Sequence, residues 1–267
     1  MSTIAITGST DGLGLATARR LAREGHDVVL HGRSSTKLDA ARSQVEIERP
    51  GAVVAALAAD LSDLSAVDEL ATRILDSVDS LDVLINNAGV FRTPSPMTTA
   101  GLDVRFVVNT LAPYRLTRLV APAMTASGRI VNLSSAAQAP VDTGAMRGRT
   151  ALDAGTAYAQ SKLALTMWSR HLSDEFGASG PVIVAVNPGS FLATKMVAEG
   201  YGVEGHDIST GVDILVRAST SPEFADASGA YFDNDAGRFA HPHPDALDQE
   251  KNTALVAVLD ELLAADG

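Results

Sequence analysis

No cysteine occurs among the 267 residues of the chain, which excludes disulfides, thiolate metal ligands and a cysteine nucleophile. Positive charge is scarce: 21 lysines and arginines stand against 32 aspartates and glutamates, a net charge of −11. This balance argues against nucleic acid or an anionic membrane as a partner. The first residues show no basic segment followed by an apolar one, and no apolar run approaches the ~20 residues of a membrane span. We therefore expect a cytoplasmic protein with no membrane partner.

Short apolar runs alternate along the chain with longer amphipathic stretches, which predicts βαβ units. The apolar run Asp82-Val83-Leu84-Ile85 is typical of a strand buried on both faces of a parallel sheet. We predict a doubly wound α/β fold, a parallel sheet with helices on both faces, as a single domain over 1–267. The predicted strands cover 3–7, 27–31, 52–59, 81–85, 130–133, 182–186 and 229–232. The predicted helices cover 13–24, 36–48, 64–78, 101–124 (bent near Pro113 or Pro122), 156–176, 208–219 and 254–263.

Tyr158 and Lys162 stand four residues apart in a predicted helix, a spacing that puts them on one face. A phenol has a pKa near ~10, and a fixed cation beside it stabilises the phenolate and lowers that pKa. The pair can therefore exchange a proton with an alcohol or carbonyl oxygen. The same spacing also occurs on ordinary solvated helices, so this interpretation depends on a redox cofactor site elsewhere in the chain.

A glycine-rich turn, Thr7-Gly8-Ser9-Thr10-Asp11-Gly12-Leu13-Gly14, joins the first predicted strand to the first predicted helix. Glycines at such a position let the backbone approach a pyrophosphate, which the positive end of the helix attracts. The alternative is an ordinary tight turn. The strand–turn–helix context favours the cofactor site.

The pattern Thr-Gly-x-x-x-Gly-x-Gly resembles the short-chain dehydrogenase/reductase family, and further motifs follow in that family's order. They are Asp60-Leu61, Asn86-Asn87-Ala88-Gly89, Asn109, Ser134-Ser135, Tyr158-x-x-x-Lys162 and Asn187-Pro188-Gly189 with Thr194. The resemblance covers nearly the whole chain. It implies a Rossmann-type fold and an oxidoreductase that interconverts a carbonyl and an alcohol by hydride transfer.

The resemblance also implies a role for each motif residue. Tyr158 exchanges the proton, while Lys162 lowers its pKa and holds the nicotinamide ribose. Ser135, rather than Ser134, polarises the substrate oxygen. Asn109 positions a water that connects Lys162 to solvent. The alternative is that the Asn109 side chain bonds the backbone of a kinked helix, and both can be true. The predicted cofactor-binding residues are Gly8, Ser9, Thr10, Asp11, Gly12, Leu13, Gly14, Arg33, Ser34, Asp60, Leu61, Asn87, Ala88, Gly89, Tyr158, Lys162, Pro188, Gly189 and Thr194, with Asn86 bracing the cofactor loop.

The end of the second predicted strand, His31-Gly32-Arg33-Ser34, bears on the choice of cofactor. An acidic side chain there would bind a ribose 2′-hydroxyl, whereas Gly32 leaves room and Arg33 can pair with a 2′-phosphate. Ser34 can add a hydroxyl donor, and Lys37 a charge. Asp11 offers no such help. We expect NADP(H) rather than NAD(H), the alternative being that Arg33 is an ordinary surface arginine.

Segment 136–155 is long for a connection between a strand and a helix. With Ser161-Lys162-Leu163-Ala164, this long form resembles the retinol-dehydrogenase and WW-domain-oxidoreductase branch of the family. We expect 136–155 and a lid over 190–206 to line the substrate site. The candidate contacts are Gln138, Met146, Phe191, Met196 and Tyr201, which could instead be lid packing.

Two rival functions remain open. A catalytically silent NADP(H)-binding regulator would tend to lack the catalytic tyrosine, lysine or serine, and this chain has all three. A nucleotide-sugar epimerase or dehydratase suits a different glycine spacing and a larger substrate domain. No metal is expected, because His241-Pro242-His243 lacks convergent partner ligands. A homodimer or homotetramer is expected, because apolar helices such as 156–176 often pair in the family.

Overall fold

The computed structural model describes residues 1–190, 192–193 and 205–266. Within these ranges one sheet contains the strands β1 (Thr3–Ile6), β2 (Asp27–Gly32), β3 (Val53–Ala58), β4 (Val83–Asn86), β5 (Arg129–Leu133), β6 (Val182–Asn187), β7 (Tyr231–Asp233) and β8 (Arg238–Ala240). Their order across the sheet is β3-β2-β1-β4-β5-β6-β7-β8. Strands β1 to β7 are parallel, and β8 runs antiparallel to β7.

Helices cover both faces of this sheet. They are α1 (Gly12–Arg23), α2 (Ser35–Glu48), α3 (Leu64–Asp76), α4 (Val104–Phe106), α5 (Ala112–Val120), α6 (Thr143–Met146), α7 (Ala154–Phe176), α8 (Ser209–Thr220), α9 (Pro244–Leu247) and α10 (Gln249–Asp266). Helices α1, α2 and α8 pack on one face, and α3, α5 and α7 on the other, with α10 over α7. No helix in the described ranges has the length and apolarity to cross a membrane.

The central strands are buried on both sides, as their apolar sequences predict. Val83 and Ile85 of β4 join the hydrophobic core under α1, α2 and α8, whereas Leu84 joins the core under α3, α5 and α7. Successive side chains of a strand point to opposite faces, so an uninterrupted apolar run serves two cores at once.

Strand β1 pairs with both β2 and β4, so the strand order reverses between β1 and β4. In open parallel sheets, ligands bind in the crevice outside the carboxyl ends of the strands at such a reversal. The predicted doubly wound fold is confirmed, and it places the glycine-rich turn after β1 at this crevice.

The predicted helix over 101–124 is not a regular helix. Helical structure begins at Val104, passes through a π-helical turn over Val107–Leu111, and continues as α5. Pro113 has no N–H and cannot donate the hydrogen bond that an α-helix would make to the carbonyl of Asn109, four residues earlier. The irregular turn therefore lies beside Pro113, one of the two predicted positions, while Pro122 lies in the 3₁₀ turn that ends the helical segment.

Three short elements were absent from the sequence prediction. Strand β8 is antiparallel, so the sheet is mostly rather than wholly parallel, and it follows a tight turn in which Gly237 has φ +66°. Helices α6 and α9 are four residues long. Elements this short are below the lengths at which the hydrophobic patterns can be recognised, about 4 residues for a strand and about 11 for a helix.

Candidate active site

The glycine-rich turn after β1 folds tightly against the segment that follows β4. Gly8 has φ +65°, and a Cβ on it would lie 2.9 Å from the Cα of Ala88. A Cβ on Gly14 would lie 2.3 Å from the carbonyl oxygen of Gly8. The Asn87 amide donates to the carbonyls of Thr7 (2.8 Å) and Gly8 (3.0 Å). Glycine is therefore required at both positions, and the loop forms a cradle of backbone groups at the start of α1, as a pyrophosphate site needs.

Asn86 has a different role from the one expected. The Asn86 amide donates to Thr117 (3.1 Å) and to Asn132 (2.7 Å), so it ties β4 to α5 and β5. The prediction that Asn86 braces the cofactor loop is wrong, because Asn87 makes those bonds. Adjacent residues at the end of a strand face opposite sides of the sheet, which is why only one of the two reaches the loop.

The side chains inside the glycine loop mostly hold the loop itself. Asp11 accepts a hydrogen bond from the N–H of Gly12 (2.7 Å) and caps α1. The hydroxyl of Ser9 is buried and accepts from the N–H of His31 (2.9 Å). The methyl group of Thr10 covers Gly32, where a Cβ would lie 2.4 Å away. The room at Gly32 is therefore taken by the loop, and the backbone of these residues faces the crevice.

Arg33 is exposed and forms no ion pair with any described residue. Ser34 beside it caps α2 by accepting from the N–H of Lys37 (3.4 Å). A guanidinium, a hydroxyl and the positive end of α2 thus meet beyond β2, which suits a phosphate. After β3, Asp60 accepts from Ser62 (2.9 Å), and Leu61 is buried.

Lys162 lies beneath Tyr158 on α7. Its ammonium is 5.7 Å from the centre of the Tyr158 ring and donates to the carbonyl of Leu133 at the end of β5 (2.6 Å). Burial lowers the pKa of Lys162 to about 8, so it is largely charged at neutral pH. Tyr158 is half-buried, and its ring packs on Phe91 with the ring centres 5.1 Å apart. The structure thus places a buried cation under a phenol at the strand ends.

We expect Lys162→Met to gain stability relative to the parent protein at neutral pH and to lose that gain in alkali. The folded-state pKa of Lys162, about 8, is below the ordinary 10.5, so the unfolded chain binds more protons between these values. The parent's stability therefore rises with pH across that window, by up to about 3 kcal/mol. Urea unfolding of both proteins at about pH 7 and about pH 10 measures the difference.

The control for this measurement is Lys251→Met. The ammonium of Lys251 is exposed and pairs with Asp245, which raises its pKa, so any pH-dependent difference has the opposite sign. A difference between Lys162→Met and the parent that is equal at both pH values would contradict a buried, charged lysine at this position.

The two serines after β5 have distinct environments. Ser134 is buried and shares a hydrogen bond with Thr166 (2.7 Å). Ser135 is half-exposed, and its hydroxyl oxygen accepts from the N–H of Ala137 (3.1 Å). Because an accepting hydroxyl keeps its own proton free to donate, Ser135 can bind a substrate oxygen and Ser134 cannot reach one.

Asn109 is fully buried in the π-helical turn. Its amide donates to the carbonyl of Val90 (2.9 Å) and to Ser161 (3.0 Å), while its oxygen accepts from the N–H of Val90 (2.8 Å). One side-chain N–H therefore braces the segment after β4, and the other ties the π-helical turn to α7. The predicted water between Asn109 and Lys162 stays a prediction, and the backbone carbonyl opposite Pro113 is the group that could hold it.

The loop after β6 is fastened by residues that the sequence analysis missed. Asp235 accepts from the N–H of Ser190 (2.8 Å) and from Asn187 (2.9 Å), and the Asn234 amide donates to the carbonyl of Pro188 (2.9 Å). Gly189 has φ +121°. The available signal was that Asp233-Asn234-Asp235 directly follows a predicted strand. Thr194, Phe191, Met196, Tyr201 and most of the predicted lid lie outside the described residues.

The two described candidates for substrate contact serve other purposes. Met146 is fully buried in the core between α7 and α10, so the prediction that it lines the substrate site is wrong. The Gln138 amide donates to the carbonyl of Ser135 (3.0 Å), and its oxygen accepts from the N–H of His243 (3.0 Å). Tyr231 also donates to the carbonyl of Ser135 (3.2 Å). Gln138 and Tyr231 therefore hold Ser135 in place. The sequence indicated this role for neither residue.

His243 caps α9 by accepting from the N–H of Asp245 (3.2 Å). No group of three or more metal-ligating side chains occurs among the residues that the structure describes.

The chain is similar to known proteins. Residues 2–201 match the short chain dehydrogenase family. This chain belongs to that family. Human retinol dehydrogenase 13 is 33% identical over 269 residues, covering 93% of this chain and 80% of the relative. Human polyprenol dehydrogenase is 30% identical over 250 residues, covering 86% and 76% respectively. The resemblance to the retinol-dehydrogenase branch is thereby confirmed.

Solved structures agree with this assignment. A putative uncharacterized protein from Mycobacterium paratuberculosis matches this short-chain dehydrogenase with a TM-score of 0.81 at 29% identity, over 99% of this chain and 94% of the other. A short chain dehydrogenase from Burkholderia cenocepacia, solved in complex with NADP, matches with a TM-score of 0.70 at 26% identity, over 87% and 95%. The protein is thus an oxidoreductase by family, with a nicotinamide cofactor.

Proposed function

We propose that this short-chain dehydrogenase is an NADP(H)-dependent enzyme that interconverts a carbonyl and an alcohol, with Tyr158 as the proton donor and acceptor. The observation that carries the proposal is the buried Lys162, held by the Leu133 carbonyl at 2.6 Å with its charge 5.7 Å from the Tyr158 ring centre. Ser135 lies at the end of the same strand as Leu133. A proton donor, a cation and a hydroxyl therefore converge at the carboxyl ends of the central strands.

The cradle fits a dinucleotide. A Cβ on Gly8 or Gly14 would collide with neighbouring protein atoms, so only glycine lets the loop close tightly over the N-terminus of α1, where a pyrophosphate would bind. Arg33 would pair with a 2′-phosphate, and one of the three N–H groups of Lys162 is used by Leu133, which leaves others for a ribose hydroxyl. The bound nicotinamide would supply or accept the hydride. The other residues expected around it are Asp60, Leu61, Asn87, Ala88, Gly89, Pro188, Gly189 and Thr194.

In the reducing direction, Tyr158 would donate its phenolic proton to the carbonyl oxygen as that oxygen gains charge. The cation of Lys162 would stabilise the phenolate that remains, because an opposite charge nearby favours the ionised form. The hydroxyl of Ser135 would donate to the same oxygen and lower the energy of the developing alkoxide. In the oxidising direction the proton returns from the alcohol to Tyr158.

The comparisons support this proposal from two sides. The structure from Burkholderia cenocepacia is titled as a complex with NADP. Retinol dehydrogenase 13 and polyprenol dehydrogenase are named for compounds that are alcohols. Arg33 beyond β2 is exposed and has no ion pair with any residue that the structure describes, which gives the chain its own reason to prefer the phosphorylated cofactor.

The decisive experiment is a panel of carbonyls and alcohols assayed by cofactor absorbance with NADP(H) and, in parallel, with NAD(H). We expect turnover with NADP(H) and at least a tenfold preference for it in kcat/KM. Arg33→Ala should lose that preference by raising KM for NADPH about 10- to 100-fold, because a charge-assisted contact to the 2′-phosphate is removed.

Arg42→Ala is the matched control, since Arg42 is an exposed arginine on α2 itself, away from the helix N-terminus that Arg33 precedes. A preference for NADH, or an unchanged preference in Arg33→Ala, would overturn the assignment of NADP(H). Tight NADPH binding without turnover of any panel member would instead favour a catalytically silent regulator.

Self-association and a cytoplasmic location remain part of this proposal. Trp168 and Leu172 of α7 are fully buried within the chain, and Leu255 and Leu259 of α10 belong to the same core. A second copy would therefore have to pair through other surfaces than this apolar face of α7. Analytical ultracentrifugation would decide between a monomer and a homo-oligomer.

A further inference from the structure

His31, in β2, connects the two halves of the cofactor crevice through its imidazole. The ring is buried, with 3% of the residue exposed. Its Nδ1 is 3.1 Å from the backbone nitrogen of Gly8 in the glycine loop, and its Nε2 is 3.2 Å from the carbonyl oxygen of Ala59 after β3. The backbone of His31 also bonds Ser9, through its N–H and its carbonyl, each at 2.9 Å. Every polar group of this residue thus reaches the loop or the end of β3.

These contacts allow one protonation state. The N–H of Gly8 is a donor, so Nδ1 must be the acceptor, and the Ala59 carbonyl is an acceptor, so Nε2 must carry the proton. An imidazolium would present an N–H to the N–H of Gly8. Burial lowers the pKa of His31 to about 4, against smaller opposing effects of the Ala59 carbonyl and Asp60, so the neutral ring prevails at neutral pH.

The contact at Gly8 matters because it orients a peptide at a special position. Gly8 has φ +65°, its N–H is held by His31 and its carbonyl is held by the Asn87 amide at 3.0 Å. The two anchors fix the peptide groups on either side of Gly8. The N–H groups that follow it toward α1 are the ones that a pyrophosphate would meet.

An apolar side chain at this position could be buried as well, but it would leave the N–H of Gly8 and the carbonyl of Ala59 without the partners that the ring supplies. Val29 and Leu30, the preceding residues of β2, are fully buried without any polar side-chain contact. A buried imidazole costs desolvation free energy unless both nitrogens are bonded. The imidazole must therefore contribute something other than burial, and its two partners lie at the two ends of the crevice.

We propose that His31 is a positioning residue for the dinucleotide, because its Nδ1 fixes the glycine loop through the N–H of Gly8. The inference rests on the proposed NADP(H) function. The residue touches no reacting atom, so its effect is on cofactor affinity and leaves the chemical step unchanged.

Two variants of His31 test the contacts of its two ring nitrogens one at a time. In His31→Asn the side-chain oxygen can take the place of Nδ1 and accept from Gly8, whereas the contact to Ala59 is lost. In His31→Gln the longer amide can donate to Ala59, whereas the acceptor for Gly8 is lost. We expect NADPH to bind His31→Asn within about twofold of the parent and His31→Gln about tenfold more weakly, measured by NADPH fluorescence. The kcat at saturating NADPH should stay the same in both.

His26→Asn is the control, because His26 lies just before the opposite end of β2. Urea unfolding of each variant shows whether it is folded, and nitrogen NMR of the cofactor-free parent reports the tautomer, for which we expect a proton on Nε2. Equal NADPH affinities in both His31 variants, or a proton on Nδ1, would overturn the inference alone. Absence of NADPH binding by the parent would overturn the proposed function and this inference with it.

Discussion

Tyr158→Phe should lower kcat by about 10²- to 10⁴-fold, the usual contribution of a positioned general acid, while NADPH still binds within about threefold of the parent. The substitution removes one hydroxyl and keeps the ring against Phe91, whose centre lies 5.1 Å away. Lys162 remains beneath the ring, where under the proposed function it would hold the cofactor ribose. The measurement is steady-state turnover with the best panel substrate, together with an NADPH fluorescence titration.

Tyr114→Phe is the matched control. The Tyr114 ring is fully buried, and its hydroxyl donates to Asp260 (2.7 Å), joining α5 to α10 away from the crevice. We expect it to lose about 1 kcal/mol of unfolding free energy and no turnover. Full activity in Tyr158→Phe would remove Tyr158 from the mechanism, and an equal loss in both variants would attribute the effect to folding.

The parts of the fold that sequence predicted are those fixed by local patterns. An apolar run such as Asp82-Val83-Leu84-Ile85 is typical of a strand buried on both faces, and the glycine-rich turn, in its strand–turn–helix context, is typical of a close approach at a helix N-terminus. These signals span a few residues each, and the parallel order of β1 to β7 follows from their alternation with helices. The antiparallel strand β8 could not be predicted in this way, because the three residues Arg238–Ala240 are too few to show a repeated alternation of apolar and polar side chains.

In the candidate site, too, local motifs could be predicted from the sequence and long-range contacts could not. Motif residues identify which types of side chain are present, and the choice of Ser135 over the adjacent Ser134 agrees with their exposure. Hydrogen-bond partners depend on which residues the fold brings together across the sequence. His31 bonds Gly8 and Ala59, which are 23 and 28 positions away, so nothing in its own neighbourhood indicated a role. Asn86 was misassigned for the same reason.

Burial explains how the catalytic half of the site is organised. Ser134 bonds Thr166 and Lys162 bonds the Leu133 carbonyl, so two consecutive residues at the end of β5 hold α7 against the sheet. Ser135, the next residue along, is then the first that can face the crevice. Gln138 and Tyr231 hold the carbonyl of Ser135, so the backbone is fixed and only the side-chain hydroxyl can rotate.

Ser135→Ala should therefore lower kcat by about 10²- to 10³-fold, the usual cost of removing one donor to a developing oxyanion. NADPH affinity and unfolding free energy should stay close to those of the parent, because among the described residues the lost hydroxyl bonds only the N–H of Ala137, itself an exposed residue. Turnover of a panel substrate, NADPH fluorescence and urea unfolding measure the three quantities on one protein sample.

Ser134→Ala gives the opposite pattern and so completes the test. The change removes a buried hydrogen bond to Thr166 and should cost about 1–2 kcal/mol of unfolding free energy. Thr166 keeps its bond to the carbonyl of Lys162 (3.0 Å), so α7 stays in place and kcat should fall by no more than about threefold. If Ser134→Ala lost turnover while Ser135→Ala kept it, the two serines would have exchanged roles, and the half-exposed hydroxyl at the end of β5 would not be the group that binds the substrate oxygen.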